Sequence, residues 1–321
     1  MRVRILQNGA YISGTGSAVP STIVTNEDLA KTSPTNAKWV SEVLGIKSRR
    51  HLKASETLLG LCFQSAQSSL VNSRKTIEDI DVIIVATSTP DYLNPSMASQ
   101  LHGALNASSS TAAFDIQAVC SGFLYGLGIA VKLLSDEVKN VLLVGADQFS
   151  KITDFSNRDS VFFGDGAGAV VISRSTDPKS FIAVDLYADS QNWEGFYTPR
   201  LESKFVMTGR LVREKAIKVL PDAFRKLVED LGFEVDNITA IFPHQPSKPV
   251  LDELETELNL RQGVLRRNIE LRGNTAGATV PLLLDESMET SSIPNGSLVG
   301  FAAIGSGWTW GVALTHWIAE I

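Results

Sequence analysis

Three side chains in this sequence have the type and setting for nucleophilic chemistry on a carbonyl. Cys120 follows an apolar run at 112–116, in FDIQAVCSGFLYGL, with Ala118, Ser121 and Gly122 around it. A cysteine at a strand-to-helix turn faces the positive end of a helix dipole, which predicts a lowered pKa and a reactive thiolate. The small neighbours leave room for a substrate carbonyl. Cysteine is also a common core residue, so position alone leaves both readings open. His244 closes the run 238–242 in AIFPHQPSK, at the start of a polar loop, where α/β sheets present ligand-binding groups. Of the 4 histidines, the other three (His51, His102 and His316) lie in contexts that read as helix or surface. Asn274 stands beside Gly273 in RGNTAGATVP, a setting that a tight turn also explains. The three together suit either a papain-like triad, in which the Asn orients a His that deprotonates the Cys, or a condensing enzyme. A papain-like C-G-S-C-W context is missing around Cys120.

The elements that must position these residues alternate. Short apolar, β-branched runs at 81–86, 112–116, 141–144, 169–172, 238–242 and 298–303 read as buried strands. Helical stretches at 56–72, 95–106, 122–135, 211–231 and 249–258 lie between them. Alternation of this kind predicts βαβ units and a parallel or mostly parallel sheet. Pro95 suits the first position of a helix, and Pro221 should kink or split the helix that contains it. IDVIIVATSTPD and ITAIFPHQPSKP look like the same object twice, and DIQAVCSGF is echoed by ELRGNTAGA. Two similar halves divided near residue 175, residues 1–175 carrying the Cys and 176–321 carrying the His and Asn, would account for the echo.

Composition narrows the classes. With 321 residues, 44% of them hydrophobic and 20% charged, the chain can bury a sizeable core. No apolar run reaches the roughly 18 residues of a membrane span, and the N-terminus has no signal-peptide pattern, so a cytoplasmic protein with no membrane partner is expected. A net charge of −6 speaks against nucleic acid as a partner, although basic patches at 47–50, 210–218 and 261–267 could receive an acidic protein. The two cysteines make neither a disulfide framework nor a zinc set, so no metal is expected, and Cys62 in ETLLGLCFQSAQSSL reads as a core residue.

Over nearly its whole length the chain resembles the β-ketoacyl-(acyl carrier protein) synthase III family of the thiolase superfamily. GTGSAVPSTIVTNEDLA, KWVSEVLGIKSRR, DVIIVATSTPDYLNPSMASQ, FDIQAVCSGFLYGL, FFGDGAGAVV, FPHQPS, RGNTAGATVP and GSGWTWGVAL carry the resemblance, in the family's order. It implies an α/β thiolase-like fold, two similar βαβ-rich halves fused into one layered αβαβα body. It also implies covalent catalysis in two stages. Cys120 takes an acyl group from an acyl-CoA or acyl-carrier donor, then a malonyl group on acyl carrier protein loses CO2 and attacks it. His244 and Asn274 match the side chains that hold the enolate oxygen, and the backbone N–H groups of Cys120 and Ser306 would hold the acyl carbonyl. No permanently bound cofactor is implied, only coenzyme A and phosphopantetheine thioesters as substrates, and a homodimer is.

Departures from the family pattern bear on the substrate. Trp39 matches an aromatic residue that stacks on the CoA adenine, but the arginine usual a few residues later is Val43. The family's H-Q-A-N reads His244-Gln245-Pro246-Ser247, which replaces an amide on the pantetheine arm with Ser247, and an arginine important for carrier docking becomes Pro249. Gly209, Arg210 and Arg213 border the tunnel mouth, where the two arginines could compensate. Asn94, often Phe in relatives, belongs to a loop expected to cap the partner's acyl pocket, which predicts a primer other than acetyl. Trp193, Phe196, Tyr197 and Phe205 are expected to line this chain's acyl pocket. Two rival activities fit the same superfamily: an acyltransferase forming an ester or amide, against which Asn274 counts, and a non-catalytic subunit, against which Cys120 counts.

Overall fold

The computed structural model describes residues 2–200, 203–290 and 293–318. Ten strands form two five-stranded sheets. The first runs in the order Ala10–Ala18, Asp165–Arg174, Asn140–Gln148, Val82–Ala86, Ala112–Ile116. The second runs Val3–Asn8, Phe181–Ala188, Thr309–His316, Leu298–Gly305, Ile238–Pro243, so the chain's first strand lies in a sheet otherwise drawn from residues 181–316.

Two helices, Gly122–Leu133 and Thr279–Thr290, lie between the sheets and touch strands of both. Their sequences, GFLYGLGIAVKL and TVPLLLDESMET, are apolar over much of their circumference, as a helix covered on two sides requires. Leu58–Asn72 and Met97–Ala104 cover the outer face of the first sheet, and Gly209–Asp230 and Lys248–Glu257 that of the second. Each sheet therefore has helices on both faces, and its central strands, such as the wholly buried VIIVA of Val82–Ala86, need no polar side. The result is the expected αβαβα stack. Cys62 sits in the outer core of the first sheet, as read from the sequence.

Three expectations are corrected. The sheets are mixed: Val82–Ala86 pairs in parallel with both its neighbours and Ile238–Pro243 with Leu298–Gly305, while the other pairings are antiparallel. The antiparallel partners include 3–8, 10–18, 181–188 and 309–316, segments whose Gly, Ser and charged residues hid their strand character. Pro221 lies inside an unbroken helix, Gly209–Asp230, whose face of Ala216, Leu220, Phe224 and Leu227 is buried against the second sheet. Pro95 precedes its helix, because Ser96 is the N-cap and its Oγ accepts from the Ser99 N–H. Among the described residues no helix is long and apolar enough to cross a membrane.

Candidate active site

Each of the three candidate side chains is placed by the end of a strand or by a tight turn. After Ala112–Ile116 the chain makes a turn at Val119–Ser121 and enters the helix Gly122–Leu133. Val119 has φ +47°, a left-handed conformation uncommon for a β-branched residue and often found where function fixes the backbone. Ser121 Oγ donates to the Ala118 carbonyl (2.8 Å) and shares a hydrogen bond with Thr309 Oγ1 (2.8 Å), which ties the turn to the second sheet. Gly305 packs so closely on this turn that a Cβ there would sit 2.7 Å from the Ala118 oxygen and 3.0 Å from the Cys120 nitrogen. Only glycine lets the 305–306 backbone approach the Cys120 N–H in this way.

His244 prolongs Ile238–Pro243, its N–H bonded to the Ala302 carbonyl at 2.7 Å. Gln245 behind it is wholly buried. Its Nε2 donates to the Pro243 and Arg266 carbonyls, and its Oε1 accepts from the N–H groups of Asn268 and Ile269. Asn274 follows Gly273 (φ +62°) and is held by two backbone bonds to the FFGDG segment: its N–H to Phe162 O (2.9 Å) and the Gly164 N–H to its own carbonyl (3.0 Å).

The geometry fixes the protonation of the pair. The Ala276 N–H, which can only donate, points at Asn274 Oδ1 from 2.9 Å, so that atom is the amide oxygen. His244 Nε2 lies 3.0 Å from the same oxygen and must therefore carry the proton. Nδ1 is buried with no hydrogen-bond partner among the described residues. Burial drives the His244 pKa down to about 4, against a weaker upward pull from the Asn274 hydrogen bond, so the imidazole is neutral at pH 7. The Asn274 Nδ2 group, with no acceptor among the described residues, is left for a ligand.

Cys120 departs from its expected state. Burial, and after it the Asp147 carboxylate, push the thiol above its ordinary range. Cys120 is 3% exposed, and desolvation of its thiolate favours the neutral thiol as the resting group.

Cys120, His244 and Asn274 line one cavity of about 270 Å³. Its outer end is formed by Trp39, Val43, Gly209, Arg210, Arg213, Ser247 and Pro249, and its inner end by Phe162, Phe163, Phe196, Ile304, Ser306 and Trp308. Most of the expected binding residues are thus brought together with the catalytic candidates. Phe205 is a correction: it is buried but lies behind the wall, edge-on to Phe163 (5.0 Å) and Phe196 (5.7 Å), with Phe149 stacked on Phe163 at 4.5 Å. Trp193 and Tyr197 pack on each other and do not line the cavity either, whereas Phe196 does. Asn94 is exposed and lies outside this chain's own cavity. Of the basic patches, 47–50 is largely spent on the fold, because Arg49 is fully buried and donates to the Val161 and Val24 carbonyls. Arg267 in the 261–267 patch is paired with Asp252 and Glu255.

Sequence reading missed Arg158, Phe162 and Phe163. Arg158 lies over the Trp39 ring, 3.8 Å from its centroid, from a segment 119 positions away that carries no motif of its own. Phe162 and Phe163 belong to FFGDG, which was recognisable as a motif but not as a wall. Among the described residues no group of three His, Cys, Asp or Glu side chains is placed to hold a metal.

Comparison with known proteins identifies the family. Residues 114–190 match the family profile described as 3-Oxoacyl-[acyl-carrier-protein (ACP)] synthase III, and residues 228–317 match its C-terminal counterpart. The chain is 35% identical to beta-ketoacyl-[acyl-carrier-protein] synthase III of Rickettsia felis over 314 residues, 95% of this chain and 99% of that protein. The crystal structure of 3-oxoacyl-[acyl-carrier-protein] synthase III from Aquifex aeolicus VF5 superposes with a TM-score of 0.91 at 36% identity, covering 96% of this chain and 100% of that one. The priming beta-ketosynthase of the R1128 polyketide pathway gives 0.91 at 26% identity, covering 98% of each chain. The chain therefore belongs to the 3-oxoacyl-[acyl-carrier-protein] synthase III family, the acyltransferase-type condensing enzymes.

Proposed function

We propose that this chain primes acyl-chain synthesis by joining an acyl group held on Cys120 to malonyl-acyl carrier protein. The Cys120 sulfur attacks the donor thioester carbonyl, the N–H groups of Cys120 and Ser306 hold the oxyanion, and the thiol proton leaves with the departing thiol. The malonyl thioester then loses CO2. The negative charge that appears on its carbonyl oxygen is met by Asn274 Nδ2–H and by His244 Nε2–H, which turns to it from Asn274 Oδ1, and the enolate carbon attacks the acyl-Cys120 carbonyl, releasing a 3-ketoacyl-carrier product and the Cys120 thiolate, which takes a proton from solvent. The observation that carries this reading is the neutral, Nε2-protonated imidazole beside an asparagine whose orientation is fixed. A donor pair suits a developing enolate, whereas an ester- or amide-forming enzyme needs a base.

Acyl-CoA as donor is consistent with Arg158, whose guanidinium lies 3.8 Å over the Trp39 ring and would have to part from it to take a planar base between the two. Arg210 and Arg213 at the mouth suit the acidic surface of a carrier protein. The cavity is smaller than the roughly 300–1,000 Å³ usual for ligand pockets, and it must also admit the pantetheine arm. With Phe163 and Phe196 backed by Phe149 and Phe205, the primer is short, and Asn94 of a partner subunit would make it other than acetyl. Tyr92 and Leu93 are 61% and 79% exposed beside Asn94, which suits a dimer contact.

The test is to load the enzyme with a series of acyl-CoA and acyl-carrier donors, add malonyl-acyl carrier protein and weigh the products. Short acyl groups other than acetyl should load best and yield 3-ketoacyl-carrier. Acylation without CO2 release would contradict the condensing reading; acetyl as the best primer would contradict only the pocket reading. Trp39→Ala should raise KM for acyl-CoA about tenfold and leave an acyl-carrier donor unaffected.

A further inference from the structure

Asp147 is wholly buried at the end of the strand Asn140–Gln148, in the sequence VLLVGAD, and takes no part in the chemistry above. Its Oδ1 accepts from the Ser88 N–H (2.8 Å), Ser88 Oγ (2.9 Å), Thr89 Oγ1 (2.8 Å) and, more distantly, Thr87 Oγ1 (3.3 Å). Its Oδ2 accepts one bond, from the Gly277 N–H at 2.8 Å. A buried carboxylate costs the fold stability unless its partners are well placed, and here five donors meet it.

What it holds is the turn that orients Asn274. Gly277 lies in the turn Ala276–Ala278, which opens the central helix Thr279–Thr290. The residue before it, Ala276, is left-handed (φ +48°), and its N–H is the donor that determines which end of the Asn274 amide faces His244. The turn is pressed against the strand of Asp147 at two points: a Cβ at Gly277 would meet Asp147 Oδ2 at 2.8 Å, and one at Gly145 would meet the Gly277 oxygen at 2.3 Å. From Asp147 to the site there is thus an unbroken sequence of short contacts: Oδ2 to Gly277 N–H, the adjoining Ala276 N–H to Asn274 Oδ1, and Oδ1 to His244 Nε2–H.

We propose that Asp147 is a positioning residue for the condensation step, which clamps the Ala276–Gly277 turn so that Asn274 presents Nδ2, and not Oδ1, to the malonyl thioester. The inference rests on the condensing function proposed above. In Asp147→Asn the amide of the new side chain cannot satisfy both the hydroxyl and N–H donors on one side and the Gly277 N–H on the other, so one bond is replaced by a donor facing a donor. The turn relaxes and the Asn274 amide is free to rotate.

The two half-reactions separate this role from a general lesion. Acylation of Cys120 by acyl-CoA, followed by intact mass, should be no slower in Asp147→Asn than in the wild type, because losing the carboxylate charge only eases formation of the Cys120 thiolate. Single-turnover condensation of the loaded enzyme with malonyl-acyl carrier protein should fall about 100-fold, the order expected for one lost oxyanion donor. ¹⁵N NMR of the imidazole should show His244 as the Nε2–H tautomer in the wild type and a mixture with Nδ1–H in the variant. Should Asp147→Asn not fold, Thr89→Val removes one donor from the carboxylate and should slow condensation alone, by roughly tenfold. Equal losses in both steps, or no loss in either with an unchanged tautomer, would overturn the proposal. A wild-type enzyme that acylates but never releases CO2 would instead overturn the function on which it rests.

Discussion

The two turns that open the central helices are built alike and used differently. Val119–Ser121 leads into Gly122–Leu133 and Ala276–Ala278 into Thr279–Thr290, each through a left-handed non-glycine residue, Val119 at φ +47° and Ala276 at φ +48°. The second turn has its Gly277 N–H taken by the Asp147 carboxylate. The first has no side-chain cap at Ser121, and Gly305 is packed against the Cys120 nitrogen. A helix start whose N–H groups are not taken by the protein can stabilise a transient oxyanion; one already occupied by a carboxylate cannot. In the proposed reaction the first turn would hold the acyl group, while the second, tied down, would position the Asn274 donor beside His244. One structural unit, present twice, would then divide a two-stage reaction between its copies.

The sharpest way to break this division is to remove the nucleophile. Cys120→Ala should abolish acylation completely, with no acyl adduct by intact mass, and no other thiol should substitute, because Cys62 is buried in a different core. Next in size is Gly305→Ala. Its methyl group would press on Ala118 O and Cys120 N, so acylation should fall about 100-fold while the His244–Asn274 pair keeps its NMR signature. A loss confined to condensation would show that the two turns do not divide the work as described.

The smallest effect is in pH. His244 has a folded pKa of about 4 against the ordinary 6.5, so the imidazole stays neutral well below pH 6. Condensation on loaded enzyme should show no inflection near pH 6.5 and decline only towards pH 4 to 5. The depressed pKa also means that the unfolded chain binds this proton first. The His244 contribution to stability is fully present above pH 6.5 and is lost as pH falls towards 4. Denaturant midpoints should fall over that window in the wild type, and less in His244→Gln.

That Cys120, His244 and Asn274 share one cavity was legible because chemistry restricts residue type: a cysteine, a histidine and an asparagine at element ends stand out in a chain with few of the first two. The parallel strand Val82–Ala86 was legible too, since it is buried along its whole length and carries no polar residue. The strands Ala10–Ala18 and Thr309–His316 were not, because close packing had replaced their branched side chains. Gly14 and Gly16 lie against the backbone of Leu58–Asn72, and Gly311 against Leu124, so segments that read as loops are among the most tightly packed strands. Thr279–Thr290 was obscured by its T-V-P start. Arg158 and Asp147 act through contacts made across long stretches of sequence, which no local pattern reports. The thiolate expectation for Cys120 failed for a related reason: a helix terminus can be read from sequence, but burial of the sulfur beside Asp147 cannot.

The central claim, that acyl capture and condensation are separate tasks of the two turns, is tested most directly by Asn274→Ala. The variant should take up an acyl group on Cys120 at the wild-type rate and then retain it, with condensation slowed about 100- to 1,000-fold, so that acyl-enzyme accumulates during turnover and is seen by intact mass. An Asn274→Ala enzyme that loses both steps equally, or that passes its acyl group to malonyl-acyl carrier protein as fast as the wild type, would contradict the account.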